Sequence, residues 1–99
     1  MEIFLSDKEL VNELEEYRQP NLICIDIWEF SESEIQIVVS ATKDETFRLG
    51  NHKVWHVCSE RSDGYGDIDT FKKYGRRITS MLRRKFPDSE IHSDLHYRS

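Results

Sequence analysis

Imidazole, thiolate and carboxylate groups recur at short spacings along this 99-residue chain, and together they are the donor set of a zinc site. His52, His56 and Cys58 share one parity of a strand-like segment, and His92, Asp94 and His96 share one parity of the tail. A structural zinc site takes four ligands in tight local pairs, and no two-residue cysteine spacing occurs here. The expectation is therefore no metal and no cofactor, with surface histidines and with Cys24 and Cys58 as buried free thiols. The segment Ser62-Asp63-Gly64-Tyr65-Gly66-Asp67 leads into a helix, where phosphate cradles form. Asp63, Asp67 and Asp69 would repel a phosphate, and the glycine and distal glutamate of a calcium loop are missing. This stretch reads as a loop ended by an aspartate cap, with Tyr65 as a contact residue of a type enriched in interfaces. No nucleophile elbow, no Cys with a nearby helical His and no close carboxylate pair in apolar surroundings is present. Asp26, inside an otherwise apolar strand, is the one odd acid. No catalytic residue is assigned, and the chain is not expected to be an enzyme.

Charge carries more information. Between Thr70 and Phe86 there are seven basic residues and no acidic one: Lys72, Lys73, Arg76, Arg77, Arg83, Arg84 and Lys85. From Met1 to Glu45 the balance reverses, with twelve carboxylates against Lys8, Arg18 and Lys43. The net charge is −5, so any attraction to polyanions must be local. Segregated charge bears on partners rather than on fold.

The elements that must position these charges are clear at the start. Ser6 and Glu9 have the spacing of a capping box, Leu5 and Leu10 that of a hydrophobic staple. The first helix runs to about Arg18, with Leu10, Val11, Leu14 and Tyr17 on its apolar side and Glu9, Glu13 and Glu16 on an outer side. In 22–30, Ile23, Ile25 and Ile27 alternate with Cys24, Asp26 and Trp28; in 34–41, Ile35, Ile37 and Val39 form one face. The three-residue turn between them predicts an antiparallel hairpin. Residues 52–58 read as a third strand, with 42–51 either a loop or, through Phe47-Arg48-Leu49 and a turn at Gly50-Asn51, a further strand. A loop over 59–66 follows.

A second helix begins at Asp67 or Asp69 and stops at Pro87. Phe71, Tyr74, Gly75, Ile78, Met81, Leu82 and Phe86 share one arc, and Lys72, Lys73, Arg76, Arg77, Arg83 and Arg84 the other. Gly75 in the apolar stripe implies a close helix-to-sheet approach. Ile91, Leu95 and Tyr97 alternate as in an edge strand. The reading is one α+β domain over 1–99, of order αβββα: a small antiparallel sheet of three or four strands with both helices on one face, and an optional C-terminal edge strand. The short apolar start, without a positive flank, is not a signal peptide or a membrane span, and a cytoplasmic location is expected.

Six cations along roughly 18 Å of helix at 1.5 Å per residue match a phosphate backbone, an acidic protein, or a solvated face. The helix–strands–helix order resembles the layout of double-stranded RNA-binding domains, which also carry lysines on their second helix. That resemblance implies RNA binding through those lysines, but at the helix start, where the family has its cluster, this chain has Asp67 and Asp69. The acidic side (Glu9, Glu13, Glu16, Glu29, Glu32, Glu34) reads either as a mimic of phosphate spacing or as a solvated face. The expectation is a non-enzymatic protein-binding module, with Tyr65, Lys72, Lys73, Arg76, Arg77, Arg83 and Arg84 as its contact residues. By size and composition it is similar to small acidic phage proteins, anti-CRISPR inhibitors among them, that engage nucleic-acid-handling proteins. Weak direct nucleic-acid binding and a homo-oligomer joined through opposite faces are the alternatives.

Overall fold

The computed structural model describes residues 2–17, 20–31, 34–43, 52–61 and 68–94. The elements in chain order are β1 (Glu2–Ile3), α1 (Asp7–Glu16), β2 (Leu22–Ser31), β3 (Glu34–Thr42), β4 (His52–Arg61), α2 (Ile68–Lys85) and β5 (Glu90–Asp94). The strands form one sheet of order β1-β4-β3-β2-β5. The expected αβββα order survives as the middle of a longer βαβββαβ chain. Two corrections apply. β1 was not foreseen, because two residues are too short for a periodicity to show. The sheet is mixed rather than antiparallel, because β5 pairs with β2 in parallel, Ile91 opposite Ile23. A parallel pair needs a long crossover, and α2 supplies it between β4 and β5.

Local signals build α1 as they should. Ser6 Oγ accepts the Glu9 N–H at 3.2 Å, and the Glu9 carboxylate accepts the Ser6 N–H at 3.1 Å. Leu10 and Leu14 are buried beneath. In the sheet, Ile23, Ile25 and Ile27 of β2 and Ile35, Ile37, Val39 and Ala41 of β3 are buried against Leu10, Leu14, Phe71, Ile78 and Leu82 of the two helices. Both helices therefore cover the same face of the sheet. β4 is longer than its alternation suggests. Ser59, Glu60 and Arg61, expected in a loop, continue the strand because Gln36, Ile35 and Glu34 of β3 offer them partners. The expected strand at Phe47 to Leu49 lies outside the described residues, as do Tyr65 and the last five positions.

One irregularity shapes β4. Ile37 pairs with Cys58 but Val38 pairs with His56, so Val57 is an extra residue without a partner in β3. This is a β-bulge. Val57 and Cys58 are consecutive yet both buried in the core. The Val57 carbonyl also accepts the N–H groups of Phe4 (2.8 Å) and Leu5 (3.2 Å), and so anchors the approach to α1.

The topology makes the helices parallel neighbours. α1 starts beside the Cys58 end of β4 and must reach Leu22. α2 starts beyond Arg61 and must reach Glu90, which lies opposite Leu22. At that far end Glu90 N–H donates to Asn21 O and Asn21 N–H to Thr42 O, each at 2.8 Å, which ties the return of the chain to the hairpin. Gly75 is buried in α2, where a side chain would meet the packed layer below. Gly75→Leu is therefore expected to lower stability by about 1–3 kcal/mol in urea unfolding. Ser80→Leu, on the exposed side of the same helix, should change it by less than about 0.5 kcal/mol.

Candidate interaction surface

Side by side and parallel, α1 and α2 present an acidic helix next to a basic one. A groove of about 400 Å³ runs between them, lined by Asp7, Lys8, Val11, Asn12, Glu15, Met81 and Lys85. Its two walls carry opposite charge, and the way those charges are used differs between the walls.

On α1 the carboxylates are largely committed within the molecule. Asp7 pairs with Arg77 of α2, whose second guanidinium nitrogen lies 3.2 Å from Asp7 Oδ1. Glu9 closes the capping box, and hydrogen bonds from Ser6, backbone first, hold its carboxyl below the usual glutamate range. Glu13 does not line the outer side as its spacing suggested. It is half-buried and turns toward β4, accepting from Trp55 Nε1 at 3.3 Å with Lys53 Nζ 3.9 Å away. Trp55 in turn meets Tyr17 edge-on with ring centroids 5.9 Å apart, so Glu13 helps fasten the end of α1 to the sheet. Glu34 accepts from the Gln36 amide at 2.6 Å. Glu15 and Glu16 remain exposed. Glu32, and the side chain of Glu29, lie outside the described residues.

On α2 the cations are mostly uncommitted. Arg77 is the exception: besides its pair with Asp7, its guanidinium lies 4.5 Å from the centroid of the Tyr74 ring. Those two contacts take it out of the open row to which its spacing assigned it. Arg83 reaches the Ile91 carbonyl at 3.5 Å. Among the described residues Lys72, Lys73, Arg76, Arg84 and Lys85 make no ion pair or hydrogen bond through their charged groups. Arg83, Arg84 and Lys85 occupy the last turn, where they complement the helix dipole. Lys72, Lys73 and Arg76 lie in the N-terminal half and gain nothing from it. Asp69, exposed in the first turn of α2, keeps the start of this helix from being uniformly positive.

Among the described residues, His52, His56 and His92 are not gathered into a site. The bulge at Val57 breaks the shared parity of His56 and Cys58, burying the thiol among the core residues and leaving the imidazole exposed on the opposite face. There His56 Nδ1 donates to Gln36 Oε1 at 2.6 Å; the Gln36 amide nitrogen is already spent on Glu34. His92 lies 2.9 Å from Glu90 on β5. Among the described residues no group of three or more His, Cys, Asp or Glu side chains is placed to hold a metal, and no helix is long and apolar enough to cross a membrane. Asp26 is opposite Asp94 of β5 and Val38 of β3, on the face turned away from the helices. Sequence reasoning did not find the Asp7–Arg77 pair, since 70 positions separate its members. No protein family, no curated protein and no solved structure matches this chain.

Two outcomes follow from this geometry. The Asp7–Arg77 pair is half-exposed on both sides, so a double-mutant cycle with Asp7→Asn and Arg77→Gln should give a coupling below about 1 kcal/mol that shrinks in high salt. Burial pushes the Cys58 thiol up to about 11 from an ordinary 9.0. The unfolded chain thus loses this proton at lower pH than the folded one, and stability should fall as pH rises from about 9 toward 11. Urea unfolding across that range, compared with Cys58→Ala, should show the variant less stable at pH 7 but lacking this part of the slope.

Proposed function

We propose that this protein is a non-catalytic protein-binding module that docks an acidic surface of another protein onto the exposed face of α2. The observation that carries the reading is the unequal use of charge. α1 commits Asp7, Glu9 and Glu13 internally, whereas Lys72, Lys73, Arg76, Arg84 and Lys85 remain uncommitted. Among the described residues Lys72, Lys73 and Arg76 are neither paired nor at the end of the helix where the dipole favours cations. Carboxylates on a partner would give them a use that a solvated face does not.

An acidic protein suits this face better than a nucleic acid does. A duplex lying along α2 would bring its phosphates close to Asp69 at one end and to Glu15, which lines the groove on the neighbouring helix. A protein partner can meet the cations with carboxylates and those acids with cations of its own. In its finer form the reading is an inhibitor or adaptor of a nucleic-acid-handling protein, whose surface carries both signs.

The test starts with affinity purification of the tagged protein, with and without nuclease, followed by surface-plasmon kinetics against the recovered partner. Retention is expected to survive nuclease. Joint reversal of Lys73, Arg76 and Arg84 to glutamate should slow association about tenfold and flatten its salt dependence. Loss of the partner on nuclease treatment would overturn the reading in favour of a nucleic acid. Loss of binding on reversal of Glu15 and Glu16, with the α2 variant binding like the parent, would make the acidic helix the working surface.

A further inference from the structure

Next to the cationic face lies an apolar feature that the charges do not account for. Ile3 and Phe4 are consecutive and are 53% and 44% exposed. The other large apolar side chains exposed among the described residues, Trp28 and Val54, sit singly on β2 and β4. Ile3 lies opposite Cys58 at the sheet edge, on the face that carries the helices. The Phe4 and Leu5 N–H groups are both held by the Val57 carbonyl. The backbone of this corner is thus pinned at the bulge, and its two apolar side chains are presented from a fixed position with little ordering left to lose on binding.

The corner adjoins α2. Asp7, three residues after Phe4, joins Arg77. The Arg77 guanidinium covers the ring of Tyr74, a half-buried residue packed against the core cluster that includes Cys58. Lys73, one turn before Arg77, is exposed and has no partner among the described residues. Apolar anchors beside tyrosine and arginine, rimmed by lysine, have the composition of an interface hot spot.

We infer that Ile3, Phe4 and Tyr74 form the apolar anchor point of the docking surface, and that its occupant is a protein segment joining an aromatic or aliphatic side chain to flanking carboxylates. This rests on the reading of α2 as the docking face. Charge complementarity selects the occupant. A wholly apolar segment would desolvate Lys73 and Arg76 without compensation, and a wholly acidic one would leave Ile3 and Phe4 in water. Asp7, the acid within the corner, is already neutralised by Arg77 and does not repel such a segment.

The experiment is selection of a phage-displayed random-peptide library on the full-length protein, with the enriched peptides labelled and titrated by fluorescence anisotropy. Enriched peptides are expected to combine carboxylates with a large apolar residue. Phe4→Ala should weaken them at least about tenfold, mainly by faster dissociation, and Lys73→Glu should weaken them with slower association. Ile3→Thr keeps a β-branched strand residue and should act in the same direction as Phe4→Ala. Circular dichroism should show parental folding for all three, since each site is exposed. If enriched peptides are acidic and respond to Lys73→Glu but not to Phe4→Ala or Ile3→Thr, the anchor is wrong while the α2 reading stands. If peptides are apolar and indifferent to Lys73→Glu, the α2 reading itself fails. An absence of enrichment, or sedimentation equilibrium showing a dimer that Phe4→Ala dissolves, would overturn the inference, the latter by making the corner a contact between copies of this chain.

Discussion

One residue too many in β4 changes which face every residue after it presents. Before Val57, Trp55 is buried on the helix side and Val54 and His56 are exposed. After it, Cys58 takes the helix side and Ser59 the opposite face, where it too is buried. A regular strand would have carried Cys58 to the face of His56 and left the sheet edge without a core residue at that level. The bulge instead puts two adjacent side chains, Val57 and Cys58, into the core, and it frees the Val57 carbonyl to point along the edge. That carbonyl binds the chain as it leaves β1, which fixes where α1 begins. A bulge is thus the hinge between the sheet and the acidic helix.

With α1 placed in this way, the relation between the helices follows from strand direction. Both must travel from the Arg61 end of the sheet to the Leu22 end, so they lie parallel, and like dipole ends fall together. Opposite side-chain charge offsets that arrangement: acids fill the first turn of α1 and bases the last turn of α2. The Asp7–Arg77 pair joins the helices at their shared starting end. Arg77 is the junction of several contacts, since it also covers Tyr74, and its guanidinium is held charged by Asp7 first of all. Among the described residues Lys72, Lys73 and Arg76 have neither a partner nor a favourable place on the helix dipole, and that is what makes this face a candidate for an external contact.

Much of the local structure was legible because its signals are short in range. The capping box needs only Ser6 and Glu9, three positions apart, and both of its hydrogen bonds are present. The isoleucines of β2 and β3 alternate cleanly because one side of each strand faces the helices. The glycine at 75 marked a buried helix position for a simple steric reason. The boundaries of β4 were misread where a neighbour's pairing, rather than its own alternation, decides where a strand ends. The candidate surface was legible only in outline. The basic arc of α2 is visible at 100° per residue, but the withdrawal of Arg77 from it and of Glu13 from the acidic row depends on what stands opposite each of them.

Charge segregation, helix phase and the buried alternation of the central strands were determined by the sequence alone, because each is a relation between residues a few positions apart. Only the tertiary structure decided the rest. The bulge exists because β3 pairs with β4 out of step. β5 is parallel because α2 returns the chain to the Leu22 end of the sheet, and the start of α1 is fixed because one carbonyl of β4 holds the Phe4 and Leu5 amides. These are meetings of residues far apart in the chain, chosen by how the whole core packs, and no local pattern encodes them.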